Sequence, residues 1–295
     1  MIEFHKVQLC DKDWINEKLK DKKNLGCDYC FGNIFSYGAQ TDVYVADCFG
    51  CLAVKTVYTD VDYYYFPVGN GDIASVLNMI IEEAHQSDRR AVLFGMNEEE
   101  NELLKSLYHG AFESEPVRDE FDYVYLTEEL INLSGKKFQP KRNHISFFKR
   151  NNIWNYERIE KNSIPECLEM SKKWLEQSNA EYRDDLESEL KNIKCAFENY
   201  DELGYVGGLI RADGKVVAYT MGEKLNDDTF CIHIEKAFSD IRGASQLINQ
   251  QFAENELKSY KYINREDDVG ADNLRKAKLS YNPVFMVEKY ETRIN

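Results

Sequence analysis

The segment Phe230-Cys-Ile-His-Ile-Glu-Lys-Ala237, continued by Asp240-Ile-Arg-Gly-Ala244, anchors the architecture of this 295-residue chain. It reads as a strand over 228–236 followed by a helix over about 243–257. His233 and Glu235 are spaced i, i+2 and share one face of that strand, with Cys231 beside them as a core residue. A second strand at 260–264 ends in Asn264-Arg265-Glu266-Asp267-Asp268, five polar residues leaving a buried segment. Towards the N-terminus, strands at 205–211 and 215–224 form a hairpin through Ala212-Asp-Gly-Lys215. Helices at 164–178 and 181–199 precede them, after a strand at 153–159 and a short basic helix at about 140–151. Towards the C-terminus come a helix over 271–279 and a last strand over 284–290.

The first half repeats this order. Ile2 to Val7 reads as a strand, and Asp11 caps a helix running to about Lys22. Extended segments follow near 29–37, 42–47, 51–58 and 62–67. Gly71-Asp72 opens a helix to about His85 with Ile73, Val76, Leu77, Ile80 and Ile81 on one face. Ala91 to Phe94 is a short buried strand, Glu98 to Tyr108 a helix and Phe121 to Leu126 a strand. Each half is thus strand, helix, three-strand meander, helix, strand, helix, strand. The expected fold is α+β (α/β), a tandem duplication of two domains, 1–130 and 131–295, each a mixed, mostly antiparallel sheet flanked by helices.

Composition bounds the function. With 43% apolar residues, 19 Tyr and 16 Phe, the chain has material for real cores, and disorder is excluded. Its 37 Lys and Arg against 52 Asp and Glu give −15, which argues against wrapping a nucleic acid or lying on anionic lipid. One island departs from this. Lys136, Lys137, Lys141, Arg142, Lys149 and Arg150 place six cations and no acid within 15 residues, so the remainder carries −21 (−15 less +6). Two readings compete: a patch facing the phosphates of a nucleotide or a tRNA acceptor end, or a solvated face paired with acids such as Glu98-Glu99-Glu100. The start, Met1 to Lys6, has no apolar core, and no stretch reaches 18 apolar residues, so a cytoplasmic protein without a membrane span is expected.

Cys27-x-x-Cys30 and Cys48-x-x-Cys51, separated by 17 residues, have a zinc-ribbon spacing. Phe31 and Leu52 follow the second cysteines where a knuckle usually has Gly, and Cys51-Leu-Ala-Val54 is an apolar run. The cysteines are read as small hydrophobes in strands, and no metal ligand is assigned.

Three segments carry a resemblance. They are Leu133 to Arg150, Phe230 to Ala244, and Tyr262 to Gly270 with Leu274-Arg-Lys-Ala-Lys-Leu-Ser-Tyr-Asn-Pro283. Together they resemble bacterial proteins similar to the C-terminal domain of phosphatidylglycerol lysyltransferase. The ending Leu-Arg-x-x-Lys-x-x-Tyr also resembles the Fem-type aminoacyl transferases. The resemblance covers most of the chain and is strongest from 133 to 290. It implies two GNAT-like domains and acyl or aminoacyl transfer. It also implies that the strands at 228–236 and 260–264 splay apart, exposing backbone donors to an acyl carbonyl.

On that template the candidate catalytic residues are His233, Glu235, Asn264, Arg265, Asp267 and Tyr281. His233 or Glu235 is a candidate general base, the alternative being a solvated strand face with a cross-strand salt bridge. Arg265 is suited to a carboxylate or phosphate, and Asp267, with Glu266, to an amine proton or ammonium group, the alternative being a polar turn that caps the next helix. Tyr281 is the candidate acid by resemblance. Arg242, Gly243, Ala244, Lys141 and Arg142 are the candidate donor-binding residues, the first three at a helix start suited to a phosphate. The family's loop carries Gln or Arg three residues before its first Gly; here Asp240 stands there and Ser245 takes the place of the second small residue. This departure counts against ordinary coenzyme A binding.

The leading functional reading is an acyl or aminoacyl transferase, moving an acyl group from acyl-CoA or aminoacyl-tRNA to an amine or hydroxyl, with no tightly bound cofactor. Contact with tRNA is expected at the acceptor end only. The alternatives are a non-catalytic ligand-binding module on a degenerate fold and a zinc-ribbon interaction protein. Residues 1–130, lacking a counterpart of the His-Ile-Glu cluster, are read as a structural or substrate-shaping half. Oligomeric state is left open.

Overall fold

The computed structural model describes residues 1–20, 26–177 and 183–295. The chain divides into two compact units, 1–122 with 267–275 and 286–295, and 123–266 with 276–285. This differs from a cut at 130/131, because each unit takes in pieces from both halves of the sequence.

In the first unit, β1 (His5–Lys6), β2 (Asp42–Cys48), β3 (Cys51–Val57), β4 (Val61–Tyr65), β5 (Val68–Gly69), β6 (Arg90–Met96) and β7 (Ser114–Pro116) are joined by the C-terminal strand Tyr290–Arg293. The order is β1-β2-β3-β4-β6, then Tyr290–Arg293, then β7, with β5 on β3. β4 and β6 are parallel, Val61 to Tyr65 facing Arg90 to Phe94. Helices α1 (Lys12–Leu19), α2 (Phe31–Tyr37), α3 (Ile73–Gln86) and α4 (Glu98–Leu107) complete the unit. On α3 the expected apolar stripe faces the core: Val76, Leu77 and Ile80 are fully covered and pack with Tyr64, Phe66, Leu93 and Met96, and Ile73 and Ile81 are partly buried against them. Asp72 caps this helix, accepting from the Ser75 amide at 3.0 Å.

The strand predicted near 29–37 is instead α2. Aromatic and β-branched residues suggest extension, but Phe31, Ile34 and Phe35 fall at i, i+3 and i+4, and the Phe31 and Phe35 rings stack at 5.9 Å. The strand predicted at 2–7 shortens to two residues. Asp11 sits at the start of α1, but its carboxylate accepts from the Trp14 indole and the Gln8 amide. The end expected for this helix near Lys22 lies outside the described residues.

The second unit holds β8 (Asp122–Leu126, counted with this unit from Tyr123), β9 (Trp154–Arg158), β10 (Val206–Ala212), β11 (Lys215–Lys224), β12 (Thr229–Ala237) and β13 (Tyr262–Asn264), and its last residue, Phe285, opens the edge strand β14 (Phe285–Val287). Their order is β14-β8-β13-β12-β11-β10-β9. Helices α5 (Thr127–Asn132), α6 (Gln139–Asn151), α7 (Ile164–Gln177), α8 (Arg183–Glu198), α9 (Tyr200–Leu203) and α10 (Ala244–Glu256) accompany them. The strand predicted over 284–290 is two separate strands, of which Tyr290–Arg293 pairs with β6 and β7 in the first sheet.

β12 and its neighbour β13 differ in length. β12 and β13 are parallel and paired only from Thr229 to Cys231 against Tyr262 to Asn264. Beyond Cys231, β12 continues to Ala237 against β11 alone. β13 ends at Asn264 with every residue paired, so β12 runs on past it, carrying His233 and Glu235 beyond the end of β13 where Arg265 leaves the strand.

Candidate active site at the opened strands

Arg265 and Glu235 form a largely covered ion pair, Nη2 to Oε1 at 2.9 Å, with side chains 11% and 15% exposed. The backbone fixes this placement. The Arg265 amide donates to Tyr123 O, and the buried Asn264 carboxamide oxygen accepts from the Glu266 amide at 2.7 Å. That short loop holds Glu266 at φ +57°, a conformation few non-glycine residues adopt. Asn264 thus shapes the turn that aims Arg265. Glu235 also accepts from Asn249 Nδ2 at 3.3 Å.

Aromatic side chains close the pair in. The Arg265 guanidinium lies 4.9 Å from the Tyr281 ring and 5.6 Å from that of Tyr125. The Tyr125 hydroxyl donates to Lys278 O at 2.8 Å, and the Lys278 ammonium donates to Arg265 O at 2.6 Å. Burial pushes the Tyr281 phenol up despite the Arg265 charge, so the hydroxyl stays protonated. Lys141 reaches in from α6, its ammonium 3.9 Å from the Tyr281 ring centre and 2.6 Å from Ser280 Oγ. Burial, together with the charge of Arg265, lowers its pKa to about 8.

Among the described residues, three buried polar atoms around the ion pair have no hydrogen-bond partner: Arg265 Nη1, the Tyr281 hydroxyl and Asn249 Oδ1. Buried polar groups are ordinarily satisfied, and leaving one unpaired costs about 1–3 kcal/mol. Two donors and one acceptor around a carboxylate–guanidinium pair are a complementary set for a carbonyl oxygen and an N–H group.

His233 stands apart from that set. Its Nδ1 lies 2.7 Å from Glu266 Oε1 and its Nε2 3.0 Å from Glu223 Oε1. Burial opposes charge on the ring, yet the surrounding Cys231, Tyr205 and Glu223 groups hold its pKa well above the ordinary value. A doubly bonded imidazolium has no lone pair to offer, so this His is a buried cation bridging two carboxylates.

Asp267 belongs to the first unit, where its carboxylate accepts from the Val269 amide. It gathers there with Cys27 and Asp122, their ligand-type atoms within 4.8 Å of one another. Lys289 neutralises this group: its buried ammonium lies 2.7 Å from Asp28 and 2.8 Å from Asp122. Cys48 and Cys51 face each other across a two-residue hairpin, and Cys48 contacts Met79, while Cys27 bonds Asp122. The two CxxC pairs therefore meet different partners.

The donor-binding candidates divide. Gly243, at φ +94°, is covered by α6: a Cβ there would lie 2.3 Å from His144 O. Ala244 is fully buried and its amide donates to Ile241 O. Arg142 bonds Leu133 O and Gly135 O, which ties down the chain before α6. Arg242 is exposed, its guanidinium 4.5 Å from the Phe147 ring.

Asn249 and Glu223 escaped the sequence reading. Asn249 left a trace, a polar residue on the otherwise apolar stripe of Leu247, Ile248 and Phe252 in α10.

A conserved protein of unknown function from Bacteroides thetaiotaomicron is 35% identical over the full length of both chains, and its crystal structure superposes with a TM-score of 0.94. The L-PGS structure from Bacillus licheniformis has a TM-score of 0.67 at 14% identity, covering 99% of this chain and 93% of that one. FemX gives 0.60 at 9% identity, covering 98% and 97%. These two show the shared tandem fold. A curated relative from Mycoplasmoides gallisepticum is 25% identical over 181 residues, 59% of this chain, so the match spans little more than half (56%) of that protein's length. The family model described as phosphatidylglycerol lysyltransferase, C-terminal, matches residues 20–292, and the chain belongs to that family.

Proposed function

We propose that this protein is an aminoacyl transferase whose reaction takes place where β12 and β13 part. The observation that carries this reading is the set of unpartnered buried atoms around Glu235–Arg265. An acceptor amine or hydroxyl attacks an activated ester carbonyl, the acceptor loses a proton, and the donor leaves as an alcohol. Arg265 Nη1 and the Tyr281 hydroxyl face the carbonyl oxygen as it gains charge, in a site where fixed donors act strongly. Glu235 receives the acceptor's proton, and Tyr281, kept protonated by burial, supplies one to the leaving oxygen. Asn249 Oδ1 takes an N–H of the aminoacyl group. Lys141, with a pKa of about 8, carries protons between the pocket and solvent near neutral pH.

Aminoacyl-tRNA suits this site better than acyl-CoA. The loop at 242–244, where coenzyme A would need free amides, has Gly243 covered and the Ala244 amide engaged. The net charge of −15 favours gripping the acceptor end over extended RNA contact. The family's name, phosphatidylglycerol lysyltransferase, supports an aminoacyl group as the one transferred. The test is transfer of a labelled amino acid from aminoacyl-tRNA, and of a labelled acetyl group from acetyl-CoA, to amine and hydroxyl acceptors. Transfer from the tRNA ester, abolished by Glu235→Gln with binding retained, is the expected result. Binding without transfer to any acceptor class would leave a ligand-binding module instead.

A further inference from the structure

Outside the strand opening, the second unit has an open hollow of about 340 Å³ lined by Lys136, Gln139, Pro140, Asn143, His144 and Arg242. Three separate pieces of chain supply it: the turn Lys136–Phe138, the first turns of α6, and the loop before α10. Its lining contains two full cations, a histidine and two carboxamides, and no carboxylate. In a chain with 52 acids against 37 bases, that is unusual.

The neighbouring cations make the contrast sharper. Lys137 pairs with Glu129, Arg142 is tied to two carbonyls, Lys149 lies over Trp154 and Arg150 bonds Ser146 O. Among the described residues, Lys136 and Arg242 have no ion pair. Arg242 packs its guanidinium 4.5 Å from the centre of the Phe147 ring, a contact that leaves its N–H donors available. The N-terminal end of α6 adds its positive end to the hollow.

We propose that this hollow is a phosphate-binding site, in which Arg242 and Lys136 neutralise the anion and Gln139, Asn143 and His144 donate to its oxygens. It is distinct from the loop amides at 243–244, which are covered or engaged. Burial and the adjacent Arg242 and Lys141 charges keep the His144 ring below its ordinary pKa, the condition an arriving dianion reverses. Lying on the same helix as Lys141, the hollow is placed to hold a phosphate of the donor; this last step rests on the transferase reading, while the anion site does not.

The experiment is calorimetric titration of the full chain with inorganic pyrophosphate, coenzyme A and a 5′-phosphorylated cytidine-cytidine-adenosine trinucleotide at two salt concentrations. Saturable binding that weakens at high salt is expected, with affinity lowered about tenfold or more by Arg242→Gln and by Lys136→Gln. Lys137→Gln, which removes a cation already paired with Glu129, should bind like the parent. The NMR titration midpoint of His144 should rise when pyrophosphate is added. Preference for the trinucleotide or for coenzyme A identifies which phosphate source uses the site. Absence of saturable binding by all three, or equal affinity in parent, Arg242→Gln and Lys136→Gln, overturns the proposal. Neither readout involves turnover, so failure of the transferase reading leaves it standing.

Discussion

Glu235, Arg265 and Tyr281 are predicted to differ in what they contribute to activity and to stability. Tyr281→Phe deletes one hydroxyl that has no intramolecular partner, so it should leave stability near that of the parent while lowering turnover by about 10²–10³. Arg265→Met is different, because it strands the Glu235 carboxylate. A loss of about 3–5 kcal/mol in urea unfolding is expected, relieved in part by adding Glu235→Gln. Additive losses in that double variant would contradict the pairing. That these three side chains come together was suggested by the segments that carry the family resemblance. For His233 the structure has the salt bridge that stood as the alternative to a general base, with Glu223 on the neighbouring strand, and adds Glu266 on the other ring nitrogen, which sequence spacing does not reveal. Asn249 could have been found as a polar interruption of an apolar helix stripe.

Elements set how these residues are held. The buried Glu223–His233–Glu266 bridge ties β11 and β12 to the turn after β13. Its folded-state His pKa is raised above the ordinary 6.5, so protonation favours the fold. The stabilisation is complete below the unfolded-state pKa and is lost as pH rises through the folded one. Urea midpoints of the parent and His233→Gln should therefore differ most near pH 6 and converge at alkaline pH; a gap that widens with pH would contradict the bridge. Gly243 is the second structural joint. Gly243→Ala needs a left-handed backbone, at about 1–2 kcal/mol, and drives a methyl into His144 O, so a larger loss than that backbone cost alone is expected in unfolding free energy. Element identity was legible wherever periodicity was strong, as on α3. It failed at 29–37, where aromatic composition signalled a strand while the i, i+3, i+4 placement of Phe31, Ile34 and Phe35 favoured a helix.

At the scale of the whole molecule, the repeated order of elements was readable but the ownership of two strands was not. Asp122–Leu126 lies beside Tyr262–Asn264, and Tyr290–Arg293 lies beside Arg90–Met96. Alternation marks a segment as a strand without naming its neighbour, so each half seemed to keep its own. A fragment 131–295 therefore lacks a strand of its sheet and exposes the edge of β13. It should aggregate or remain unfolded by circular dichroism, whereas a cooperatively folded fragment would refute the exchanged arrangement. Among the described residues no helix is long and apolar enough to cross a membrane. The proposed transfer site lies in the second unit, and one measurement tests it most directly: a crystal structure with a non-hydrolysable 3′-aminoacylamido-adenosine. Its carbonyl oxygen should lie at hydrogen-bond distance, about 2.7–3.2 Å, from both Arg265 Nη1 and the Tyr281 hydroxyl. A ligand ordered elsewhere, with its carbonyl beyond reach of both groups, would contradict the assignment.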